Sequence, residues 1–198
     1  MKRNEFLKNT AATLGLAIST SSMSAIFVSC AKEAKLNWKP IFLKSNQAAT
    51  IAEIAETILP KTKTPGAKDL AVPQFIDKML NDTFDKNGQN EFVKGLETFE
   101  SQCDSKYGKP FIELSQKERE EFLMIQEAEN PKSGMSLWGI NLEPNAAPAT
   151  FYKNVKNLTL FGFYTSQQIG EKVLAFDPVP GPYIACMSYS GENAWNEG

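Results

Sequence analysis

From residue 45 onward, apolar residues recur at helical spacing along most of the chain. Ile51, Ile54, Ala55, Ile58 and Leu59 predict a one-sided helix behind an N-cap at Ser45, ended by Pro60. Glu53 and Glu56 fall on its wetter side. Phe75, Ile76, Met79 and Leu80 predict a second helix, opened by Val72-Pro73 with the proline in the tolerated first turn. Gly88 is expected to separate it from a third, carrying Phe92, Val93, Leu96, Phe99 and Cys103 and stopped by Gly108-Lys109-Pro110. Ser115-Gln116-Lys117-Glu118 has the capping-box pattern, with Phe122, Leu123 and Ile125 behind it on a fourth helix. A fifth is expected from Pro148, with Phe151, Tyr152, Val155, Leu158 and Thr159 on its buried side, and a short sixth within 166–174.

Between these elements lie stiff, Pro/Gly-rich loops: 60–73, 132–148 (which holds Trp138), and the run DPVPGPY from Asp177. Pro178, Pro180, Gly181 and Pro182 forbid regular helix there. No period-two alternation is sustained, and no βαβ unit or repeat is visible. The expected fold is mainly α: a single compact helical domain of five to six helices with long Pro/Gly-rich loops, preceded by an export signal. The roughly 169 residues after that signal can bury about 70% of their unfolded surface, enough for one core.

The first thirty residues read as an address. Lys2, Arg3 and Lys8 make a basic start, a mildly apolar stretch runs from Ala11 to Val28, and Phe27-Val28-Ser29-Cys30 closes it. Lys2-Arg3-Asn4-Glu5-Phe6-Leu7-Lys8 resembles a twin-arginine signal, with Asn4 in place of the second arginine. Phe27-Val28-Ser29-Cys30 resembles a bacterial lipobox; the plain alternative is an ordinary cleavage site beside a chance cysteine. Lipidation at Cys30 would anchor the chain, since each buried CH2 adds about 0.8 kcal/mol. The expected organisation is a signal at 1–29, a tether at 30–43 and a helical domain at 44–198. The expected location is outside the cytoplasm, on the periplasmic side of a membrane.

Composition narrows the chemistry. The chain has 198 residues, a net charge of −2 and no histidine. A Ser-His-Asp triad, a His-ligated metal and an imidazole base are therefore impossible. Three cysteines cannot build a four-thiolate site alone. Nothing basic enough to neutralise a phosphate backbone is present, so nucleic acid is not an expected partner. Dinucleotide and P-loop fingerprints are absent. Asp82, Asp85, Asn87 and Gly88 only echo a calcium loop and lack its spacing. Glu118, Glu120 and Glu121 sit at a helix start, where acids complement the dipole. No catalytic, cofactor or metal site is assigned to the chain.

The loops offer the better surface. Proline lowers the entropy lost on ordering, and aromatic residues supply contact area. Thr64-Pro65-Gly66-Ala67 and the Asp177–Tyr183 run, with Trp138 and Phe163 nearby, suit a protein interface, or else merely close the core. The partner-binding candidates are Pro65, Gly66, Trp138, Tyr164, Pro178, Pro180, Gly181, Tyr183 and Cys186. Cys103 and Cys186 could form one intramolecular disulfide, remain buried free thiols, or leave one thiol facing a partner.

Two blocks then carry a resemblance. Ile58-Leu59-Pro60, Thr64-Pro65-Gly66-Ala67 and Val72-Pro73-x-Phe75-Ile76-Asp77 make the first. Phe161-Gly162-Phe163-Tyr164-Thr165-Ser166, Ile169-Gly170, Asp177-Pro178-Val179-Pro180-Gly181-Pro182-Tyr183 and Cys186 make the second. Together they resemble the gluconate 2-dehydrogenase subunit 3 family over about residues 44–187. The resemblance implies a non-catalytic small subunit. Its partner would be an FAD-dependent large subunit of the glucose-methanol-choline type that oxidises a sugar or sugar acid, joined in some complexes by a haem c cytochrome subunit. The small subunit would support folding and export of the flavoprotein. Two other classes stand beside this one: a stand-alone surface lipoprotein that binds a ligand or acts as a scaffold, and an enzyme using Glu118 or Tyr183.

Overall fold

A computed structural model of the chain describes residues 36–129, 136–137, 140–141, 149–174, 186 and 191. Among these residues there are six α-helices: α1 Ser45–Ile58, α2 Val72–Asp82, α3 Lys86–Tyr107, α4 Gln116–Ala128, α5 Phe151–Tyr164 and α6 Gln167–Lys172. A 3-10 turn, Phe111–Glu113, joins α3 to α4. The mainly helical fold read from the spacing is the fold observed. One small addition lies in the 132–148 stretch. There Ser136–Leu137 and Ile140–Asn141 (β1 and β2) pair antiparallel, with Ser136 opposite Asn141.

The helices α1 and α5 form the centre. Both pack against α2 and α4; α3 lies on α5, and α1 also meets the 3-10 turn. On α1, Ile51, Ile54 and Ala55 are fully buried, and Ala48, Ala49 and Ala52 let neighbours come close. Val72, Ile76 and Leu80 give α2 its buried stripe, while Phe75 packs at the core's edge. Phe99 of α3 is the middle of an aromatic cluster, with ring centroids 5.2 Å from Phe111, 5.0 Å from Phe122 and 5.6 Å from Phe151. Such tilted pairs add about 0.5–1.5 kcal/mol beyond the area they bury.

Several helix boundaries have local causes. Ser115 does cap α4: its hydroxyl accepts from Glu118 N–H at 3.4 Å, and Glu118 accepts from Ser115 N–H at 2.7 Å. The start of α1 is one residue earlier than expected. Lys44, not Ser45, is the N-cap, and its N–H donates to Gln47 Oε1 at 3.0 Å. Gly88 does not separate α2 from α3. It sits in the first turn of α3, where Gly88 N–H donates to the Asp85 carboxylate at 2.7 Å, so the acid starts the helix. Gly108, at φ 69, ends α3 in the left-handed region that glycine tolerates. Thr150 caps α5, which begins at Phe151 rather than at Pro148.

The largest departure concerns residues 36–43, expected to belong to a tether. They are docked on the domain: Leu36, Trp38 and Phe42 pack against the core and Leu43 is buried. Leu36, Trp38 and Phe42 alternate with exposed Asn37, Lys39 and Ile41, a run too short to stand out as an element in the sequence. The signal expected at 1–29 and the lipidation site expected at Cys30 lie outside the described residues.

Candidate partner-binding surface

The loop between α1 and α2 is stitched to the helix before it. Ala67 N–H donates to Leu59 O at 2.9 Å and Val72 N–H to Ala67 O at 3.0 Å. The Glu56 carboxylate on α1 accepts from Lys61 N–H at 3.2 Å and Lys68 N–H at 2.8 Å. Asp69 accepts from Gly66 N–H at 3.2 Å and pairs with Lys61 Nζ at 3.0 Å. The Lys61 hydrogen bond first, then the Gly66 N–H, hold the Asp69 carboxyl below its usual range. A Cβ on Gly66 would stand 2.6 Å from Glu56 Oε1 and from Lys61 N, so glycine is what lets loop and helix approach. The loop closes through Ala71 at φ 56, the only non-glycine residue with positive φ among the described residues.

These contacts redistribute the candidates. Gly66 is buried and acts by close approach, not by facing a partner; Pro65 is half-buried at the loop's outer edge. Lys61, Lys63, Thr64, Pro65 and Asp69 line an open hollow shared with Gln168 of α6. The first sequence block therefore lies beside the helix that carries Ile169-Gly170 of the second. In that second block Phe163 is 8% exposed, so it belongs to the core and not to an interface. Tyr164 is 44% exposed and leans edge-on against Phe163, centroids 5.4 Å apart. It is the one aromatic candidate that the described residues place at the surface. Trp138, Pro178, Pro180, Gly181 and Tyr183 lie outside the described residues.

The two described cysteines, Cys103 and Cys186, are free thiols. Cys103 is buried and donates weakly to Lys109 O at 3.6 Å, whereas Cys186 is exposed. The bridge between them, one of the readings of the sequence, is not present: Cys103 points into the core. Burial, then the Glu100 and Asp104 carboxylates, push its thiol up to about 11. It is protonated and unreactive at neutral pH.

The acidic candidates hold structure together. Glu118 accepts from the Ser115 hydroxyl and N–H, both at 2.7 Å, and from Lys109 Nζ at 3.1 Å. The Ser115 hydroxyl, its N–H and then Lys109 hold this carboxyl down at about 2, far from the range of a general acid at neutral pH. Glu121 pairs with Lys106 at 3.2 Å, and Glu120 accepts from Gln116 at 2.8 Å. In the weak calcium echo, Asp82 pairs with Lys78 at 2.5 Å and Asp85 caps α3. Among the described residues no cluster of three or more acidic, His or Cys side chains could hold a metal ion, and no helix is long and apolar enough to cross a membrane.

Two side chains have roles that the spacing did not assign. Asp77 of α2 is 1% exposed, and its carboxylate accepts from the N–H groups of Ile41 at 2.6 Å, Phe42 at 3.2 Å and Leu43 at 2.8 Å. It is the clamp that docks residues 36–43. The only signal in the sequence is an acid interrupting the apolar stripe beside Ile76. Arg119 of α4 reaches back to α1, donating to Glu53 Oε2 at 2.5 Å and to Ile112 O at 2.7 Å, with its guanidinium 5.8 Å from the Phe111 ring centroid. Glu53 also pairs with Lys68 at 2.6 Å. One carboxylate thus joins α1, α4 and the loop before α2.

No curated protein and no solved structure matches the chain. The family model for gluconate 2-dehydrogenase subunit 3 matches residues 45–181, from the first residue of α1 through the first sequence block and into the second as far as Gly181. With more than half of its length matched, the chain belongs to the gluconate 2-dehydrogenase subunit 3 family.

Proposed function

We propose that this chain is a non-catalytic small subunit that binds, stabilises and helps export an FAD-dependent dehydrogenase large subunit of the glucose-methanol-choline type, acting on a sugar or sugar acid. The observation that carries the reading is the family match over residues 45–181. Physical chemistry supports it. The chain has no histidine to serve as a base. The described helices include no βαβ crossover that would cradle a dinucleotide, so they do not fit FAD, and the flavin is assigned to the partner. Haem c, where a cytochrome joins the complex, is likewise assigned to another chain. The titratable groups brought together here, such as Glu118 with Lys109 and Glu53 with Arg119, serve caps and ion pairs.

In the same reading, residues 1–29 direct export, with a twin-arginine-like start in which Asn4 replaces the second arginine. Cys30 carries the lipid that holds the mature chain on the periplasmic side of the membrane. The partner meets the surface that includes Pro65 and Tyr164.

Affinity purification of the full chain from its native membrane, with an absorbance scan, tests this. Flavin absorbance co-eluting with a second, larger chain is expected, and Tyr164→Ala should reduce that co-elution while leaving the unfolding midpoint unchanged. Recovery of the chain alone, or turnover of a sugar without a companion, would overturn the reading.

A further inference from the structure

The docked segment has an unusual surface. Residues 31–44 carry Lys32, Lys35, Lys39 and Lys44 against Glu33 alone, within a chain whose net charge is −2. Lys39 and Lys44 are exposed. Ile41 between them is 66% exposed, although the N–H groups of residues 41–43 are held by Asp77. Trp38 is half-buried at the edge of the core. Exposed aliphatic area, an indole at the rim and flanking lysines form the combination that partitions to a headgroup layer.

Chain length supplies the second argument. Only residues 31–35 separate Cys30 from Leu36, where docking begins. Fully extended, that connection spans at most about 22 Å. A loose tether through residue 43 would be more than twice as long. The Asp77 clamp therefore converts a long leash into a short one and fixes which face the leash leaves from.

We propose that residues 36–44 are the face this protein lays on the anionic phospholipid headgroups of the membrane that holds it, with Lys39 and Lys44 meeting phosphate and Ile41 entering the interface. The proposal rests on the reading that Cys30 is acylated. Under it, α2, which holds the segment through Asp77, lies on the membrane side.

The test uses the full chain purified from membranes and reconstituted into vesicles of equal parts phosphatidylglycerol and phosphatidylcholine containing nitroxide lipid. A fluorophore is placed at Ile41→Cys or at Met124→Cys, each in a Cys186→Ser background; Met124 is 73% exposed on α4. Quenching several-fold stronger at position 41 than at 124 is expected, and Lys39→Glu with Lys44→Glu should remove most of that difference. Mass spectrometry of the same sample reads Cys30. An unmodified Cys30 overturns the anchor and this proposal together. An acylated Cys30 with equal quenching at the two positions overturns the orientation alone.

Discussion

Phe75 Cδ1 on α2 stands 2.7 Å from where a Cβ on Gly162 of α5 would lie. The same ring meets Phe161 edge-on, centroids 5.7 Å apart. Phe75 belongs to the first sequence block and Gly162 to the second, so the two blocks meet at this contact. Gly95 on α3 makes the matching approach to α5, where an added Cβ would lie 2.6 Å from Phe151 Cβ. The obstacles differ in kind: Phe75 presents a ring that can swing, Phe151 an atom fixed to its backbone. Replacing a mid-helix glycine by alanine gains about 1 kcal/mol of helix propensity, while overpacking costs about 1–3 kcal/mol. Gly95→Ala is therefore expected to lower stability by a net ~0–2 kcal/mol, and Gly162→Ala by less. Urea unfolding at constant m reads both. An increase in stability for Gly95→Ala would show that the approach is not limiting.

Asp77→Ala should release residues 36–43. Bonds to a charged acceptor contribute about 1.5–3 kcal/mol each, but the freed N–H groups regain water, so a net loss of about 2–4 kcal/mol is expected. The decisive readout is local. Amide exchange at Ile41 and Leu43 should accelerate strongly in the variant while α3 amides keep their protection relative to global stability. Slow exchange at Ile41 in Asp77→Ala would mean that packing of Leu36 and Trp38, not the carboxylate, holds the segment.

The acid limb of stability has an identifiable contributor. The Glu118 carboxyl is lowered from 4.5 to about 2 by the Ser115 hydroxyl, the Ser115 N–H and Lys109. Its folded value lies below its unfolded value, so the stabilisation is fully present above pH 4.5 and is lost as the pH falls toward about 2. Glu118→Gln should flatten the pH dependence of the unfolding midpoint in that window and leave the limb above it unchanged. An unaltered slope would place the acid sensitivity elsewhere.

Thiol chemistry should separate the two described cysteines. Cys186 is exposed and Cys103 is buried, with its thiol pushed up to about 11. Iodoacetamide at neutral pH is expected to modify Cys186 in the native protein and to reach Cys103 only after unfolding, as peptide mass mapping would show. Equal labelling rates would mean that α3 opens locally.

The helices were legible because each carries a buried stripe at helical spacing, such as Val72, Ile76 and Leu80, and because Ser115-x-x-Glu118 announces its own start. Gly88 misled because glycine punctuates so many chains, whereas here Asp85 outweighs it by accepting its N–H. Residues 36–43 were illegible for a different reason. Their order comes from backbone groups gripped by a distant side chain, and backbone groups leave no trace in composition. The loop at 64–67 was visible as stiff, but its purpose was not. Only coordinates reveal that Gly66 is pressed against Glu56 and that Pro65 alone of the pair reaches the surface. Tyr164, a partner-binding candidate, lies at the surface, while its neighbour Phe163 turns inward with the core side of α5.

The Asp77 clamp also determines where mechanical load travels. A pull on the chain ahead of residue 36 meets three amides hanging from one carboxylate before it reaches the first turn of α1. Force applied from the N-terminal side is thus passed into α2, and through the Phe75 ring into α5, sparing the end of α1 from being peeled open. Stretching single molecules from the N-terminal side should show a small early rip for residues 36–43, absent in Asp77→Ala, before the domain gives way.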